Sequence, residues 1–156
     1  MPPTYGGHGE AMAVFASKVK IDGTPLSKMK LSDKKFAEIK QATIQGGAKI
    51  IELRGRSSFQ SPAYCAVKMI EAAMGGKRFL WPAGCYVNNE KFQNVMMAMP
   101  TVMDKNGVHF SAPKGTAKEM ADLQASYEHL CKMRDEIVTL GIIPAVKDWK
   151  KVNKNL

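Results

Sequence analysis

Along the chain the spacing of apolar positions switches between the period of a strand and that of a helix, and each switch falls at turn chemistry. After the glycine-rich opening Tyr5-Gly6-Gly7-His8-Gly9, residues 11–21 partly alternate and end at Asp22-Gly23, a two-residue turn signal. Residues 24–29 then resume an extended pattern, so a β-hairpin is predicted here. Ser32 is placed to cap a helix whose positions Phe36, Ile39, Thr43, Ile50 and Leu53 fall near one face, with Gly46-Gly47 set to kink or break it. A second helix has Pro62 in its first turn, Ala63, Ala66, Val67, Ile70 and Met74 at helical spacing, and Gly75-Gly76 at its end. Arg54-Gly55-Arg56-Ser57-Ser58, between the two, is too polar and too short to be core.

Residues 79–87, 92–103 and 107–111 read as three strands joined at Asn88-Asn89 and Asn106-Gly107, and links this short make neighbouring strands antiparallel. Thr116 followed three residues later by Glu119 is a capping box. It opens a long amphipathic helix with Met120, Leu123, Tyr127, Leu130 and Ile137 on one face, Gly141 as its stop and Pro144 beyond. The predicted fold class is α+β, with helices covering antiparallel strands. The pattern holds no β-α-β unit with a glycine-rich phosphate loop, so it gives no sign of a nucleotide site of its own.

Composition narrows the class. At 156 residues, 45% of them hydrophobic, the chain is one domain's worth and can build a core without staples. The longest apolar stretches, 11–16 and 95–99, fall far short of the roughly 18 residues of a membrane span. The first ten residues lack the basic-then-apolar order of a secretory signal. Cys65, Cys85 and Cys131 are odd in number and lack metal-site spacing, so buried thiols in a reducing, cytoplasmic setting are expected. The net charge of +9 raises nucleic acid, anionic lipid or an acidic small molecule as partners. Four lysines (147, 150, 151 and 154) against one aspartate concentrate part of that charge in the last ten residues. The rest is spread without basic clusters or interleaved aromatics, which argues against a nucleic-acid surface. Residues 1–144 are therefore taken as the domain and 145–156 as a basic tail.

Among three histidines, His109 and His129 read as ordinary structural residues, one in a strand after a turn and one on the last helix. His8 differs. Glycines on both sides strip its surroundings of side chains, let the backbone approach a ligand, and present an imidazole for proton transfer. By itself the motif also fits a flexible end.

Tyr5-Gly6-Gly7-His8-Gly9-Glu10, then residues 13–17 and Asp22-Gly23-Thr24-Pro25-Leu26, resemble the stretch that opens the C-terminal half of the lactate/malate dehydrogenase family. Gly55-Arg56-Ser57-Ser58-Phe59-Gln60-Ser61-Pro62-Ala63 looks like that family's substrate-side helix start. Trp81-Pro82-Ala83-Gly84-Cys85-Tyr86, Met99-Pro100 and Gly107-Val108 follow in the family's order, and the likeness covers residues 4 to 141. Gly7 before the histidine and Ser57 at the substrate-contact position look like the malate branch, where lactate enzymes show a glutamate and a threonine.

The resemblance implies an NAD-dependent oxidoreductase acting on malate and oxaloacetate, with lactate or another 2-hydroxy acid as the alternative. It implies His8 as general acid and base, Gly7 and Ser57 as substrate contacts, and His8 and Ser57 beside the nicotinamide. Ser57 could otherwise cap the second helix. The same resemblance implies homo-oligomers and an upstream half that holds NAD, the aspartate orienting the histidine, and the arginines binding substrate carboxylates. Arg54, Arg56 and Arg78 match none of those arginines and read as solvated loop residues. The expectation is a catalytic domain inactive without its NAD-binding half, exposing apolar or glycine-rich surface around His8 and Ser57. A non-catalytic assembly module on the same fold is the other reading.

Overall fold

The computed structural model describes residues 2–29 and 32–154, Glu10 by its backbone alone. In chain order its elements are β1 (Thr4–Gly6), β2 (Met12–Val14), β3 (Lys20–Ile21), β4 (Thr24–Pro25), α1 (Asp33–Ile44), α2 (Gly46–Arg54) and α3 (Gln60–Ala73). There follow β5 (Ala83–Val87), β6 (Val95–Met99), β7 (Thr101–Asp104), β8 (Gly107–Phe110), α4 (Ala117–Thr139) and α5 (Trp149–Val152). The main sheet has four strands in the order β2-β1-β6-β5, all antiparallel, and β3-β4 and β7-β8 are separate hairpins. This is the α+β arrangement that the pattern predicts.

Alternation explains which face of the sheet is covered. Val95, Met97 and Met99 of β6 are buried while Met96 between them is exposed, and Cys85 and Val87 of β5 do the same beside them. With Tyr5, Ala13, Phe15, Phe92 and Leu123 these side chains form one core, closed by Met120, Tyr127 and Leu130 of α4. The Thr116-Glu119 capping box is present, and it does more than start α4. Glu119 also accepts hydrogen bonds from the Ser17 amide (2.8 Å) and hydroxyl (2.6 Å), so the helix start is tied to the chain leaving β2. At the other end of the sheet Arg134 donates to the carbonyls of Gln93 (3.1 Å) and Asn94 (3.0 Å), pinning α4 to the β5-β6 connection.

Several expected boundaries move, each for a local reason. The Asp22-Gly23 turn forms with positive φ at both residues, 49° and 78°, but its strands are two residues each, because a one-turn helix at Ala16–Lys18 interrupts residues 11–21. Residues 92–103 are two strands, not one: Pro100 has no N–H for a ladder and the chain changes sheets there. β5 begins only at Ala83, and Phe79 makes an isolated bridge to Met103. Ser32 caps α1, accepting from the Lys35 amide at 3.2 Å, and the helix breaks at Gln45, immediately before Gly46-Gly47. α3 is capped at Phe59 without any side-chain hydrogen bond, so Ser57 is not its cap. Of the cysteines only Cys85 is buried; Cys65 and Cys131 are half-buried, and all three are free thiols.

Two features depart from an ordinary interior and rim. No described residue of α1 or α2 is buried, and Ala72 alone is buried on α3. Many of their apolar positions stand in the open, with Leu53 72% accessible and Met74, just past α3, 83%. The basic tail is partly structured: Trp149 of α5 donates from Nε1 to the Pro144 carbonyl (2.8 Å) and its ring lies 6.3 Å from that of Tyr86. Residues 155 and 156 lie outside the described residues. No helix among those described is long and apolar enough to cross a membrane.

Candidate active site

His8 owes its position to the residues on either side of it. Gly6, the last residue of β1, pairs with Met12 of β2 and Ala98 of β6 and has φ of 84°, a left-handed conformation that L side chains rarely adopt. A methyl group on Gly6 would overlap Ser126 Oγ and lie 2.8 Å from Ser126 Cβ, so only glycine lets β1 press this closely on α4. The next amide, that of Gly7, donates to Ser126 Oγ at 2.8 Å. With the chain fixed on both counts, His8 follows in extended conformation as the cap of a one-turn helix at Gly9–Ala11, its ring exposed.

The imidazole borders a cavity of about 460 Å³ lined also by Lys40 and Ile44 of α1 and by Asp122, Ser126 and His129 of α4. Asp122, Ser126 and His129 stand one helical turn apart in succession, which brings them to one stripe of α4. Lys40 and Asp122 form an ion pair across the mouth, both side chains partly shielded from water. A cavity with an exposed imidazole, a hydroxyl and a paired carboxylate can exchange a proton with a ligand oxygen. Asp122 is the one carboxylate lining it among the described residues, and it is committed to Lys40. No group of three His, Cys, Asp or Glu among the described residues is placed to hold a metal ion.

The residues singled out from sequence are distributed unevenly. His8 lines the cavity. Gly7 adjoins it, but its amide is spent on Ser126. Ser57 is exposed in the segment between α2 and α3 and does not line the cavity, and its neighbours Leu53 and Phe59 are exposed apolar residues. Arg54 bonds Gln60 (3.3 Å) and Arg56 stacks on the Phe59 ring (4.9 Å), so neither is a free carboxylate clamp. Lys40, Asp122 and His129 were not expected at a site. The i, i+7 spacing of Asp122 and His129 was readable, but it has meaning only once Lys40 of α1 is seen bonded to Asp122 and His8 beside them.

Residues 3–140 match the family model described as lactate/malate dehydrogenase, alpha/beta C-terminal domain. Among curated relatives, the malate dehydrogenase of Pelagibacter ubique is 35% identical over 109 residues, covering 66% of this chain and 34% of that protein. Among solved structures, the malate dehydrogenase of Salinibacter ruber superposes with a TM-score of 0.79 at 25% identity, over 90% of this chain and 46% of that one. A malate dehydrogenase of Plasmodium falciparum in complex with NADH gives the same TM-score and identity over 89% and 48%. The chain belongs to the lactate/malate dehydrogenase family, as its C-terminal α/β domain. Within that family it is most like malate dehydrogenase. It spans about a third of the length of the Pelagibacter ubique protein and a little under half of the two solved chains.

Proposed function

We propose that this chain is the substrate-side half of an NAD-dependent malate dehydrogenase, and that His8 is its general acid and base. The observation that carries the reading is the loop built by Gly6, Gly7 and Ser126, which holds His8 exposed at the edge of a polar cavity instead of burying it. Every strand pair among the described residues is antiparallel, so the parallel crossover unit that cradles a dinucleotide has to come from another half. What the described residues offer the cofactor is the His8 loop at its reacting end.

Nicotinamide, when bound, would give a hydride to the substrate's carbonyl carbon or take one from its carbinol carbon. Reduction of a ketone leaves negative charge growing on its oxygen, and His8 as imidazolium gives that oxygen a proton; in oxidation the neutral ring takes the hydroxyl proton. The imidazolium needs a carboxylate to stabilise it, and Asp122 is already paired with Lys40. By the family resemblance, that carboxylate and the cations for two substrate carboxylates belong to the N-terminal half. Ser57 meets the substrate only when that half covers the α2-α3 segment, and exposed Leu53 and Phe59 on either side of Ser57 belong to the surface it covers. Oligomers of the joined protein and a cytoplasmic setting complete the reading.

The test is reconstitution. The 156-residue chain alone, given oxaloacetate and NADH, is expected to show no loss of NADH absorbance. Joined to the N-terminal half of the Pelagibacter ubique malate dehydrogenase, it is expected to turn over oxaloacetate in preference to pyruvate. H8N in the joined protein should lower kcat by about 10²–10⁴-fold, the usual contribution of a positioned acid or base. Turnover by the chain alone, or a joined H8N protein as active as its parent, overturns the proposal.

A further inference from the structure

The segment that leaves α3 carries a second recess, for which the reading of His8 has no use. Tyr64 and Lys68 of α3 and residues 77–81 line a cavity of about 320 Å³ that shares no lining residue with the His8 cavity. A volume above about 300 Å³ is enough for a small organic ligand.

The walls are set before any ligand arrives. Gly75, with φ of 87°, turns the chain out of α3, and the Gly75 and Gly76 amides bond back to the carbonyls of Ala72 (3.1 Å) and Glu71 (2.9 Å). Four residues on, Phe79 exchanges two backbone hydrogen bonds with Met103 (3.0 and 2.9 Å). The loop is thus anchored at both ends. Buried Phe79 meets Trp81 edge-on at 5.4 Å, and Tyr64 lies tilted against it at 6.3 Å. The two outer rings are held in place and yet remain 49% (Trp81) and 56% (Tyr64) accessible.

Charge gives the recess a direction. Lys68 is bound to Glu71 (2.7 Å) and sits 5.7 Å over the Tyr64 ring, so the α3 side is electrostatically satisfied and carries a carboxylate. Lys77 and Arg78, on the loop side, form no ion pair among the described residues. Rigid, half-exposed aromatic faces are complementary to a planar ring, and two neighbouring unpaired cations to a doubly charged anion. We propose that this recess binds a mononucleotide, its base stacked on Trp81 and Tyr64 and its phosphate on Lys77 and Arg78. The site is independent of His8 and holds whether or not the chain is half of a dehydrogenase.

Trp81 reports the binding directly. The chain has two tryptophans, so W149F leaves Trp81 as the sole indole. Titrating this variant with AMP is expected to quench its fluorescence saturably, with adenosine binding about tenfold or more weakly for want of a charge-assisted phosphate contact. In the same background K77A/R78A should bring AMP down to the affinity of adenosine. Y64A should weaken both ligands by about fivefold or more, the loss of one base-aromatic stack, and far-UV circular dichroism checks that each variant is folded. No saturable quenching in the millimolar range, equal binding of AMP and adenosine, or indifference to K77A/R78A overturns the proposal. A short oligoadenylate that binds far more tightly than AMP also overturns it, since the recess would then serve a strand of nucleic acid.

Discussion

Gly6→Ala tests the close approach of β1 to α4 on which the presentation of His8 depends. Three costs add. An L side chain at φ of 84° is strained by about 1–2 kcal/mol. The new methyl group meets Ser126 Oγ and Cβ, which are backed by the helix, and overpacking of this kind costs about 1–3 kcal/mol. Pushing the strand away also stretches the Gly7 amide to Ser126 hydrogen bond, with a net worth of about 0.5–1.5 kcal/mol. The expected total is about 2.5–6.5 kcal/mol, a large part of the roughly 5–15 kcal/mol that holds a domain together. In thermal unfolding by circular dichroism this lowers Tm by about 5–26 °C for a chain of this size. Two companions separate the causes. Ser126→Ala removes only the acceptor and should cost about 1 kcal/mol. Gly6→Ala with Ser126→Gly makes room for the methyl group but leaves the strained φ, so the pair should be more stable than the two single changes added, by about 1 kcal/mol or more. A Gly6→Ala protein within about 1 kcal/mol of its parent, or a double variant that is merely additive, would refute the reasoning.

Three further outcomes follow from the same packing. Burial raises the Glu119 pKa, but hydrogen bonds from the Ser17 hydroxyl and amide and from the Thr116 amide outweigh it and hold the carboxyl below its ordinary value. Its contribution is therefore present above the unfolded value of about 4.3 and is lost as pH falls through the lower folded value; urea unfolding from pH 7 down should show this acid sensitivity, and Glu119→Gln should flatten that part of the profile. Gly115→Ala should destabilise by about 1–3 kcal/mol in the same assay, since its Cβ would stand 2.5 Å from buried Phe15 and 2.7 Å from Glu119 Oε2. Lys40→Met should change global stability by less than about 1 kcal/mol, as expected of a partly exposed ion pair, while speeding amide hydrogen exchange in α1, which Lys40 holds to α4.

Much of the fold was legible because its signals are local. Asp22-Gly23, the Thr116-Glu119 box, the Ser32 cap and the period of α4 each act within a few residues, and each appears where the pattern puts it. The strands were legible as extended runs, but their ends were not, because a partner decides them. Phe79 reaches only Met103, and Pro100 sends the chain from one sheet to another.

For the site the division is sharper. The sequence by itself determined the family likeness and marked His8, since glycines around a histidine change what its backbone can do wherever it is placed. Only the tertiary structure decided that Ser126, 119 residues from Gly7 in the chain, fixes that loop. It alone brought Lys40, Asp122 and His129 around the histidine, and left Ser57 outside the cavity. It alone left α2 and α3 with apolar faces uncovered and set Trp81 and Tyr64 beside two free cations. Spacing along a chain encodes which residues share a face of one element; which faces meet is determined by packing between elements, and that no local pattern carries.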